Sequence, residues 1–125
     1  MRVLLDSNIL VRVASQDSLT PIAQSGTSHL VTDGHELCVV PQIFHEFYVV
    51  ATRPQSQNGL GLSSDTALSH LSEFEAVLVL MPDSQPVYTI WRDLVRAHNG
   101  PGKSAHDARL VAGMGANGIG AILTF

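Results

Sequence analysis

Only one cysteine occurs in the 125 residues, Cys38, within the apolar run Leu37-Cys38-Val39-Val40. No disulfide framework can form within one such chain, which fits a reducing cytosol. Its apolar neighbours make Cys38 a small core residue rather than a nucleophile. Charge is scarce too, at 14% of residues. Lysine and arginine together number seven, Lys103 is the single lysine, and the net charge is −4. Such a chain is not a general nucleic-acid glue, because phosphate binding runs on dense Lys and Arg. Chemistry on a phosphodiester is not excluded, since a divalent ion in a cleft can supply positive charge locally. Long apolar runs are missing as well. Met1 to Leu5 begins like a signal peptide, but Asp6, Asn8 and Arg12 interrupt it. Ala76 to Met81 is far too short to span a bilayer. The expectation is a soluble, cytoplasmic protein with no membrane partner.

What is present is a compact composition. Apolar residues make up 45% of the chain, which argues against disorder. The length suits one domain, 1–125. A chain of this size buries about two thirds of its surface on folding, so a core is available.

The apolar pattern alternates short strands with helices. Arg2 to Leu5 is a strand, and Asp6-Ser7-Asn8 supplies helix-capping residue types before Ile9, Leu10, Val13 and Ala14. Thr20-Pro21 starts a helix reaching about Val31. Leu37 to Val40 is a second strand, and Pro41 leads into a helix from Gln42 to about Ala51. Arg53 to Gly61 is a loop by its Pro, Gly and polar content. A helix from Ser63 or Ser64 to Phe74 precedes a third strand, Val77 to Leu80. Asp83 to Pro86 opens a helix running to His98, and Asn99 to Gly102 breaks it. Another helix begins at Ser104 or His106, and Ala121 to Phe125 is a fourth strand. This alternation predicts a three-layer α/β fold with a mostly parallel central sheet and helices on both faces.

Three acids sit where the pattern asks for apolar side chains. Asp6 ends Val3-Leu4-Leu5, Glu46 lies on the stripe Ile43, Phe47, Val50, and Asp107 lies on the stripe Leu110, Val111, Met114. Each has an ordinary reading alone: Asp6 as a helix cap, Glu46 at the edge of its stripe, Asp107 as an acid favoured by the helix dipole. Together they sit where an α/β sheet gathers ligands, outside the carboxyl ends of its strands. Two like charges about 4 Å apart repel by about 4 kcal/mol at an effective dielectric near 20. A cluster of three must bind a cation or keep a proton. Oxygen-only ligands suit Mg2+ or Mn2+, and such an ion activates water against a phosphate.

Leu4-Leu5-Asp6-Ser7-Asn8 resembles the opening motif of PIN-domain nucleases. Gln42-Ile43-Phe44-His45-Glu46-Phe47 resembles their second acidic motif, and His106-Asp107-Ala108-Arg109-Leu110-Val111-Ala112 their third. Ile122-Leu123-Thr124-Phe125 resembles the strand before the fourth. The style is closest to VapC-type toxins of bacterial toxin–antitoxin pairs. The resemblance implies a PIN-like domain acting as a metal-dependent endoribonuclease, a toxin with a cognate antitoxin partner, and a homodimer. It implies that Asp6, Glu46 and Asp107 bind metal and catalyse, that Asn8 orients the first motif, and that Thr124 matches a polar residue closing the last motif strand. In that family the last strand commonly runs on to Asn or Asp and a further acid, which this sequence does not contain. A catalytically silent PIN-like module binding RNA or protein is the alternative. Asp6 as a phosphotransferase nucleophile is a third reading, although Asn8 and Leu10 depart from the Asp-x-Asp-x-Thr/Val pattern.

Lys103 and Arg109 flank Asp107 and are candidates to touch the RNA backbone, with Arg12 and Arg53 behind them. A zinc-protease motif is excluded, because Val49 stands where His45-Glu46 would need a second histidine. Gly100-Pro101-Gly102-Lys103-Ser104 lacks the strand and glycine spacing of a phosphate loop. Trp91, in the pattern Val87, Ile90, Leu94, Val95, fits core or a subunit interface.

Overall fold

β1 (Arg2–Leu5) lies at the centre of the fold, and its last three residues are buried. A computed structural model describes residues 1–98 and 102–125, with all side chains among them except those of Lys103 and Ser104. After β1 come α1 (Ser7–Ser15), α2 (Thr20–Thr32), β2 (Glu36–Val39) and α3 (Pro41–Thr52). Then follow a single 3-10 turn (Gln55–Gln57), α4 (Ser64–Val77), β3 (Val79–Leu80), α5 (Gln85–His98), α6 (Lys103–Ala116) and β4 (Ile119–Leu123).

The four strands pair in the order β3-β2-β1-β4, and every pairing is parallel. From β1 the chain steps outward to β2 and β3, then returns to lay β4 on the other side of β1. Right-handed crossovers place α1 to α4 on one face and α5 with α6 on the other. Packing agrees: α1 meets α2 and α3, α3 meets α4, and α5 meets α6. The reversal of strand order between β1 and β4 is where α/β sheets open a crevice beyond their strand ends.

The core lies between the sheet and α1 and α3. Leu4, Cys38, Val39, Ile43 and Phe47 are fully buried. Phe47 packs edge-on to Phe74 with ring centroids 5.1 Å apart. Pro41 starts α3 as expected, its lost N–H being one the first turn does not use. The loop after α3 folds back on that helix, Leu60 and Leu62 donating their N–H groups to the carbonyls of Val50 and Ala51.

Several boundaries differ from the sequence expectation. α4 runs on to Val77, which is 76% exposed, so the third strand shrinks to an exposed two-residue edge. A short apolar run cannot be told from a helix end by periodicity alone. β4 starts at Ile119, directly after Gly118 turns with φ +64°, and ends at Leu123. α6 starts at Lys103, ahead of the Ser104 or His106 expected. Of the expected Asn99–Gly102 break, 99–101 lie outside the described residues. Among the described residues, no helix is long and apolar enough to cross a membrane.

Candidate active site

Asp6 leaves β1 with φ −73° and ψ 157° and caps α1. Its Oδ1 accepts from the Ser7 N–H at 2.8 Å, and its own N–H donates to the Leu123 carbonyl at 3.0 Å. Its Oδ2 accepts from the Thr124 hydroxyl at 2.8 Å. A threonine hydroxyl has one proton to give. With that proton on Asp6, Thr124 Oγ1 accepts from Asn8 Nδ2 at 3.0 Å. Asn8 Oδ1 accepts from the Phe125 N–H at 3.3 Å. Asn8 and Thr124 thus hold Asp6 from the β4 side.

Glu46 projects from the second turn of α3, half-buried. Its Oε2 accepts from the Ser7 hydroxyl at 3.0 Å, and its Oε1 accepts from Gln42 Nε2 at 2.8 Å. Ser7 therefore ties two of the acids together, its N–H on Asp6 and its hydroxyl on Glu46.

Asp107 comes from α6, where Leu110 and Met114 of the expected stripe pack against the core and Val111 does not. Val111 is 54% exposed, and α6 turns Ala112 and Gly113 to the interior instead. Gly113 permits the close seat: a Cβ there would lie 3.3 Å from Val40 Cγ1. Asp107 is exposed and faces a cleft, not the core. The head of α6 is pinned by Trp91 Nε1, which donates to the Ala105 carbonyl at 2.8 Å.

All three acids line one cleft of about 840 Å³, together with Ser7, Gln42, His45, Arg53, His106 and Arg109. Asn8 and Thr124 stand behind Asp6 and do not line it. Arg109 is on its wall, but its Nη2 donates to Asp83 Oδ2 at 2.6 Å, and Arg12 is paired with Asp17 at 2.7 Å. The Lys103 side chain lies outside the described residues. Among the described residues, no cation lies within 4.0 Å of Asp6, Glu46 or Asp107. Nor do three or more His, Cys, Asp or Glu side chains among them form a ready-made coordination sphere. The acids share a cleft without converging on one point.

Sequence reasoning missed Ser7 and Gln42 as partners of the acids. Gln42 stands four residues before Glu46, and such pairs meet on a helix surface, so that signal was available. The Ser7 link to α3 spans 39 positions and had no local signal.

No protein-family profile matches the sequence, and no curated protein is a significant match. Solved structures do match. The VapBC2 complex of Rickettsia felis, bound to a DNA fragment from its promoter, superposes with a TM-score of 0.70 at 12% identity, covering 100% of this chain and 88% of that one. VapC20 of Mycobacterium tuberculosis, a sarcin-ricin loop cleaving toxin, superposes with a TM-score of 0.68 at 14% identity, covering 98% and 88%. The fold is PIN-like. At these identities the likeness is one of architecture. In this PIN-like fold the acidic cleft opens past the end of β1, between α3 and α6.

Proposed function

We propose that this chain is a metal-dependent endoribonuclease, the toxin of a toxin–antitoxin pair, acting in the cytoplasm. The observation that carries the reading is that Asp6, Glu46 and Asp107, from three separate elements, line one cleft at the carboxyl end of the sheet with no described cation to neutralise them. The likeness to VapC proteins supports the nuclease and antitoxin assignments, and a homodimer is proposed on the same ground.

The donor set fits Mg2+ or Mn2+. Its three acids offer carboxylate oxygens, His45 and His106 stand on the same walls, and Cys38 is buried elsewhere. Magnesium takes only one or two carboxylates and keeps several waters, so acids that share a cleft without converging still suit it. When bound, such an ion supplies Lewis acidity to a phosphate oxygen and lowers the pKa of water. The chain's own residues do the rest. Thr124 and the Ser7 N–H hold Asp6 in one rotamer. Ser7 and Gln42 do the same for Glu46. Asp107 closes the third side, where its charge repels RNA until the pocket is neutralised. Arg53 and Arg109 on the walls can meet flanking phosphates.

The test is cleavage of end-labelled RNA by the purified chain with Mn2+, with chelator, and by Asp6→Asn, Glu46→Gln and Asp107→Asn. Cleavage should vanish with chelator and in all three variants, with folding retained. Wild-type cleavage in any two variants would rule out the assigned site.

A further inference from the structure

Gln42 is 5% exposed, yet its Oε1 has no hydrogen-bond partner, the one such buried side-chain atom among the described residues. Its Nε2 has two acceptors: Glu46 Oε1 at 2.8 Å and the His106 carbonyl at 3.3 Å. Turning the amide over would set its oxygen against both of those oxygens, so the orientation is fixed by its neighbours. A buried carbonyl without a donor is a cost to folding. For stability alone, an apolar side chain of the same length would serve as well or better.

What the amide does achieve is placement. One N–H₂ group bonds the carboxylate of one acid and the backbone immediately preceding another, Asp107. It spans α3 and α6, which carry those acids on separate elements. Without it, Glu46 keeps only the Ser7 hydroxyl, and its Oε1 is free to turn.

Resting on the proposed metal site, we infer that Gln42 is a positioning residue that fixes Glu46 relative to Asp107 and so sets the affinity of the cleft for a hard divalent cation. Its role is in geometry, not in folding stability. Residues behind metal ligands typically cost about 10–100-fold in metal affinity or activity when removed.

The experiment measures Mn2+ binding by calorimetry and urea unfolding without metal, on the full chain and on Gln42→Met, with Gln42→Leu as a second shape. The expected result is a Mn2+ dissociation constant weakened by about tenfold, with an unfolding midpoint unchanged or raised. A lowered midpoint, or failure of both variants to fold, makes Gln42 a structural prop and overturns the inference. Unchanged Mn2+ affinity in a folded variant overturns it while leaving the proposed function standing. A wild-type chain that binds no Mn2+ overturns the metal reading, and this inference with it.

Discussion

Thr124 donates its hydroxyl proton to Asp6 across 118 positions of sequence, at 2.8 Å. The bond joins the residue just past β4 to the residue just past β1, two adjacent parallel strands. It leaves Asp6 with a donor on each oxygen and one rotamer. Thr124→Val keeps the shape and removes the donor. Cleavage should fall about tenfold, as expected for a residue behind a ligand, with a stability loss of about 1 kcal/mol. Thr124→Ser should restore both. Parallel RNA-cleavage and urea titrations check it, and a Val variant as active as wild type would sink the role.

Gly59 is held against the start of its own loop. A Cβ there would overlap the Arg53 backbone carbonyl, which already accepts from the Gly61 N–H at 2.8 Å. Gly59→Ala should therefore shift Arg53 and loosen the cap on α3. Overpacking of this kind costs about 1–3 kcal/mol. RNA affinity, read by filter binding, should weaken along with it if Arg53 meets the backbone.

Cys38 offers a pH signature. Burial pushes its thiol above the ordinary 9.0, with the Glu36 charge adding to the rise and Arg2 opposing it. A raised folded value means the thiol's contribution to stability is complete below the unfolded value and is lost as pH rises through the folded one. Wild type should thus lose more stability than Cys38→Ala between about pH 8 and about pH 10. Urea midpoints at the two pH values measure this. Equal losses would show the thiol to be insensitive to its surroundings.

How far the sequence could be read depended on the kind of signal. Pro41, Thr20-Pro21 and the apolar run before Asp6 are local, and the elements they mark formed where expected. Val77 misled because four apolar residues in a row satisfy a strand and a helix end alike. α6 misled for a different reason. Of its expected stripe, Leu110 and Met114 pack against the core but Val111 does not, and Ala112 and Gly113, whose small side chains let the helix approach Val40, take the buried place beside them. The three acids were legible because a carboxylate at an apolar position stands out. Their supports, Ser7 and Gln42, were not singled out, because neutral polar residues at helix starts are ordinary there.

The adjacency of β1 and β4 has a consequence during synthesis. Asp6 leaves the ribosome 118 residues ahead of Thr124, whose hydroxyl holds it. At about 5–20 residues per second, translation leaves an interval of seconds in which the first acid exists without its mould. The carboxylate at position 6 thus takes its held form only after β4 and Thr124 have followed it into the fold.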